Sequence, residues 1–109
     1  MGRKATSTNK NYFTEKEEKA ILDFINSDDQ DFRENLFSTI IYPTFTTMVE
    51  SIIRRYKLYP PDEHYDETFC DVLSFIITKL DKFKPGTHKA YSYYGTICKN
   101  YLIGKIQSF

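Results

Sequence analysis

A chain of 109 residues with 40% hydrophobic and 17% aromatic side chains has material for one modest core rather than two. Fifteen basic and fifteen acidic residues cancel to a net charge of zero, so neither a uniformly basic nucleic-acid binder nor a strongly acidic chain is indicated by the sum. No apolar run approaches the roughly 18 residues of a membrane span, and the N-terminal stretch lacks the apolar centre of a secretory signal, so a cytoplasmic protein without a membrane partner is expected.

The zero sum hides a gradient. Residues 1–14 carry three basic groups and no acid, residues 15–71 carry fourteen acids against six bases, and residues 79–109 carry six lysines and a single aspartate. Such polarity points to two surfaces, an acidic one for a basic protein and a basic one for nucleic acid, or to a solvated surface that is merely asymmetric.

Residues 1–13 are polar, basic and aperiodic, and read as a flexible arm; residues 14–109 read as one helical domain. Thr14-Glu15-Lys16-Glu17 is a capping box ahead of Ile21, Leu22 and Ile25, and the helix it opens closes near 26–29. Asp31-Phe32-Arg33-Glu34 forms a second box before a long stretch with apolar residues three and four apart: Leu36, Phe37, Ile40, Ile41, Phe45, Met48, Val49, Ile52, Ile53 and Tyr56. Pro43 lies inside it and lacks the amide of the helix ladder, so a kink or two abutting helices are expected. Pro60-Pro61 ends the segment.

Phe69, Val72, Leu73, Ile76 and Leu80 form the stripe of a third helix, with Asp66 and Glu67 suited to its N-terminus. Phe75 and Ile77 fall off that stripe and pack on a neighbour or meet a partner. Lys84-Pro85-Gly86-Thr87 is a turn, and the last helix runs from about Lys89 to the end. No strand alternation, repeat or low-complexity tract appears. The fold class is therefore all-α, a compact bundle of about four helices.

Cys70 and Cys98 have no CxxC pairing, and His64 and His88 are far apart, so neither a metal site nor a cofactor is indicated. No glycine-rich phosphate loop, nucleophile elbow or helical histidine–carboxylate pair is present, and no enzyme is expected. The last helix is more informative. Tyr91, Tyr94, Cys98 and Leu102 share one stripe, while Tyr93, Ile97 and Tyr101 lie on other faces. Tyrosines interleaved with lysines suit a single strand, with rings on bases and ammonium groups on phosphates. The alternative is a thin core filled by tyrosines with their hydroxyls at the rim.

Residues 81–106 carry a further pattern. Asp81-Lys82-Phe83 is followed by seven residues and then Tyr91-Ser92-Tyr93-Tyr94-Gly95-Thr96. This resembles conserved region two of bacterial RNA polymerase sigma factors, where aspartate-lysine-phenylalanine precedes Phe-Ser-x-Tyr-Ala-Thr at the same spacing. Ser51-Ile52-Ile53-Arg54-Arg55-Tyr56 resembles the close of the preceding helix, Glu67 to Leu80 resembles the helix that grips the polymerase, and the likeness covers residues 32–106. KAYSYYGTICKNYLI is most similar to the short late-transcription sigma factors of tailed bacteriophages.

The resemblance implies a sigma-like factor, acting in the bacterial host cytoplasm, that binds core RNA polymerase and directs it to phage late promoters. Glu67, Cys70, Asp71, Leu73 and Ile77 would dock on the clamp helices of the largest subunit. Phe83, Tyr91 and Tyr94 would form the pocket for an adenine flipped from the non-template strand of the minus-ten element. Lys82, Lys84, Lys89, Lys99 and Lys105 would hold the backbone, with Tyr93 and Thr96 on the same nucleic-acid surface. A phage sliding clamp or a co-activator is a further implied partner. Ile97 and Cys98 stand where the family has a duplex-wedging tryptophan pair, and Tyr101 and Gly104 where it reads duplex bases, which implies a different wedge and a different promoter preference. The family pattern also implies further helix beyond Phe109. Without the resemblance, the leading reading is a helical interaction module or polymerase adaptor that does not read DNA; a general single-strand binder is the third.

Overall fold

A computed structural model of the chain describes residues 12–57, 65–86 and 88–107. It is all-α. Four main helices follow one another, α1 (Glu15–Asn26), α2 (Gln30–Tyr56), α3 (Tyr65–Thr78) and α4 (Ala90–Gln107), and no strand occurs among the described residues. The Pro60-Pro61 break, Thr87 of the expected turn, residues 1–11 of the expected arm and residues 108–109 lie outside the described residues. The chain divides into two compact units, Met1–Met48 and Val49–Phe109, the division falling inside α2.

In the first unit, α1 begins where the capping box placed it. The Glu17 carboxylate accepts from the Thr14 amide at 2.7 Å and the Thr14 hydroxyl accepts from the Lys16 amide at 3.3 Å, which satisfies donors that have no partner inside a first turn. Phe13, read as the last residue of a flexible arm, is instead 7% exposed. Its ring stacks on Phe45, centroids 6.4 Å apart. The start of α2 also differs from the expected box at Asp31: Asp29 caps it, its carboxylate accepting from the Phe32 amide at 3.3 Å. Arg33 closes α1 from outside by donating to the carbonyls of Phe24 at 2.7 Å and Ser27 at 3.1 Å. Its guanidinium lies 4.0 Å from the centroid of the Phe24 ring.

Helical backbone continues through Pro43. Residues Phe37–Ile41 form a π-helical turn just before it, and such a turn absorbs an extra residue within an otherwise continuous helix. The proline has no amide to offer the carbonyl of Thr39, so a widened turn there accommodates the mismatch. The Thr44 hydroxyl donates to the Ile40 carbonyl at 2.7 Å, on the same stretch. The continuous Gln30–Tyr56 helix is long and apolar enough to cross a membrane by length and composition, which corrects the expectation that no such segment exists. Its apolar side chains Ile41, Phe45, Met48, Val49 and Ile53 are at most 1% exposed, the pattern of a helix in a protein core.

In the second unit, the buried residues are Val49, Ile52 and Ile53 of α2; Thr68, Val72, Leu73 and Ile76 of α3; Leu80 and Phe83 of the connection; and Ala90, Tyr94, Cys98 and Leu102 of α4. The α4 residues recur every fourth position and so lie on one face. Each large apolar side chain sealed this way contributes about 1.5–3 kcal/mol. Two backbone positions are left-handed. Gly86, in the turn before α4, has φ 103°, and Lys57, just after α2, has φ 53°.

Candidate nucleic-acid interface

Everything that faces outward on α4 is set by what the core takes first. Tyr94 is fully buried, and its hydroxyl donates to the Leu80 carbonyl at 2.7 Å. Burial pushes its phenol well above the usual tyrosine range, with the neighbouring Tyr93 and Asp81 adding to the shift. Phe83 is 2% exposed and lies against Tyr94 with ring centroids 5.8 Å apart. The expected adenine pocket of Phe83, Tyr91 and Tyr94 is therefore corrected: two of its three rings are core, and neither offers a face to a base. Tyr91 is half-buried.

Tyr93 is the outer member of the same aromatic group. It meets Phe83 at 5.4 Å and Tyr94 edge-on at 5.0 Å, and it is half-buried rather than sealed. Beside it lies a cleft of about 340 Å³ lined by His88, Ser92, Tyr93, Thr96 and Ile97, at the lower end of the ~300–1,000 Å³ of small-ligand pockets. Ser92 and Thr96 are one helical turn apart, as are Tyr93 and Ile97, so the wall alternates hydroxyls with an aromatic and an aliphatic face. Lys82, Lys84 and Lys89 are exposed on the segment leading into α4, and Lys99 is exposed further along the helix.

Lys105 is engaged by α3. Its ammonium is 2.9 Å from the Asp71 carboxylate of α3 and its side chain is only 19% exposed. That contact pairs a cation expected to serve nucleic acid with a carboxylate expected to serve the polymerase, and it leaves the Asp71 side chain 48% exposed. Leu73, also expected to dock, is 5% exposed and belongs to the core. Its companions differ: Glu67, Cys70 and Asp71 are exposed, and Ile77 is half-buried. Phe75 stacks on Tyr101 at 4.5 Å with an interplanar angle of 22°, which accounts for one of the two apolar residues that fell off the α3 stripe.

Among the described residues no group of three or more histidine, cysteine or carboxylate side chains is placed to hold a metal ion. Cys98 is buried, its thiol pushed up to about 12 by burial, and so has none of the thiolate character of a nucleophile. The residues missed from sequence are His88, Ser92 and Ile97. The Ser92–Thr96 spacing was a usable signal, but only after Tyr94 is placed inside does the helix have a known outward face. Compared with family models, curated proteins and solved structures, the chain matches none.

Proposed function

We propose that the chain is a sigma-like initiation factor of a bacteriophage, which docks on bacterial core RNA polymerase in the host cytoplasm and holds the melted non-template strand of late promoters. The observation that carries this reading is the cleft of His88, Ser92, Tyr93, Thr96 and Ile97 on a helix that carries the exposed Lys99 and follows the exposed Lys82, Lys84 and Lys89. A base stacked on an aromatic side chain contributes about 1–3 kcal/mol, and extruding it costs a few kcal/mol, so a ring, flanking hydroxyls and nearby cations are all required. Tyr93 takes the stacking role in this reading, in place of the buried Tyr94.

The exposed carboxylates Glu67 and Asp71, with Cys70 and the half-buried Ile77, form the docking strip for the clamp helices. No covalent chemistry is involved. A sliding clamp or co-activator completes the assembly in this proposal.

A second reading, an adaptor that binds polymerase without reading DNA, is favoured by one observation: two of the rings matched to the family's base pocket are in the core. Transcription with purified host core enzyme on viral late-promoter templates separates the two. The sigma-like reading requires promoter-specific transcripts only when the chain is added. Retention on the polymerase without such transcripts leaves the adaptor.

A further inference from the structure

Tyr56, at the end of α2, is 44% exposed, and two cations attend its ring. The Lys99 ammonium lies 4.5 Å from the ring centroid and the Arg55 guanidinium 5.8 Å. Both cations are exposed, whereas Arg54, between Arg55 and Ile53, is engaged with Glu50 at 3.1 Å. Lys57 adds a third exposed cation at the same helix end. A solvated surface gains little from holding like charges around one half-exposed ring, because each cation–π contact at an exposed site contributes only about 0.5–1 kcal/mol and the charges repel one another.

We infer that Arg55, Tyr56 and Lys99 form a second phosphodiester-binding station, continuous with the cleft on α4, that carries the same nucleic-acid strand past the end of α2. Continuity follows from helical spacing. Ser92, Thr96 and Lys99 are four and three residues apart and so share one stripe, and the seven residues from Ser92 to Lys99 advance about 10 Å along the helix. α4 comes close to α2 at this point: a Cβ added to Gly95 would lie 3.8 Å from Ile52 Cδ1. The ligand class is a flexible single strand, whose phosphates bridge the guanidinium and ammonium while a sugar or base lies at the edge of Tyr56. This rests on the reading of α4 as a strand-binding face.

The test is the salt dependence of binding to a fluorescent oligothymidylate. For single strands the slope of log K against log salt is about −0.7 per neutralised phosphate. Replacing both cations (Arg55→Gln with Lys99→Gln) should therefore flatten the slope by about 1.4, which removes about a sevenfold loss of affinity over a fourfold rise in salt. Tyr56→Leu should weaken binding severalfold and leave the slope unchanged. Circular dichroism verifies that these exposed substitutions leave the fold intact. If the unaltered chain binds no oligothymidylate, this inference falls together with the strand-binding reading of α4. If the chain binds and the double substitution leaves slope and affinity unchanged, the second station alone is overturned.

Discussion

The Lys105 ammonium lies 2.9 Å from the Asp71 carboxylate, tying the C-terminal part of α4 to the middle of α3 across 34 residues of sequence. Asp71 keeps a half-exposed side chain while Lys105 is mostly covered. The contact thus shields the cation more than the carboxylate, and an incoming basic partner has to share Asp71 with it.

Removing that partner has a modest structural effect. Lys105→Gln should lower stability by a few tenths to about 1 kcal/mol, the range of partly exposed ion pairs, read from urea denaturation. Asp71→Lys sets two ammonium groups against each other, and in the proposed docking it should abolish retention of core polymerase in a pull-down. Full retention by a folded Asp71→Lys chain removes α3 as the docking strip.

Tyr94 should behave as a core residue. Tyr94→Phe strips the donor from the buried Leu80 carbonyl and should cost about 1–3 kcal/mol, while Tyr94→Ala should cost about 3–5 kcal/mol by leaving a cavity. Equilibrium unfolding in urea measures both. A Tyr94→Phe chain as stable as the original contradicts the buried hydrogen bond.

Alkaline pH should destabilise the chain. Burial raises the Cys98 thiol from 9.0 to about 12 and raises the Tyr94 phenol above its ordinary 10.0. Both groups hold their protons longer when folded, so their contribution is complete below the unfolded values and is lost as pH rises from about 9 toward 12. The slope should approach about 1.4 kcal/mol per pH unit for each ionising group, measured by denaturation at several pH values. Native chain should also show fast reaction of a single thiol, the exposed Cys70, with a disulfide reagent at neutral pH, and the second only in denaturant.

Gly104 sits inside α4 with open space around the position a Cβ would take. Gly104→Ala should raise stability by about 0.5–1 kcal/mol through lower backbone entropy of the unfolded chain, seen as a higher melting temperature. A loss of stability contradicts a regular helix at that residue.

What was legible in the sequence was local. The Thr14–Glu17 box marks α1 because cap and partner are three residues apart, and the 3.6-residue periodicity locates α2, α3 and α4. The failures are instructive for the same reason. Asp29 displaced Asp31 as the cap of α2 because either residue type caps equally well, and only the path of the chain chooses between them. Pro43 was read as a kink or a junction of two helices, and a π turn over Phe37–Ile41 stands immediately before it. In α4 the periodic stripe through Tyr94, Cys98 and Leu102 is the buried face, and it was the resemblance that assigned Tyr94 to a base; the Leu80 carbonyl that accepts from its hydroxyl is 14 residues away. Lys105 was counted with the cationic surface because charge composition carries no information on its distant partner Asp71.

In the proposed function Tyr93, standing outside the buried Phe83–Tyr94 pair, receives an unpaired base. Permanganate footprinting of melted thymines on a late promoter, with host core polymerase and a Tyr93→Leu chain, tests it most directly, because leucine keeps the apolar packing and removes the stacking face. The expected result is unchanged retention on the polymerase with strongly reduced promoter melting. Undiminished melting by a folded Tyr93→Leu chain contradicts the assignment.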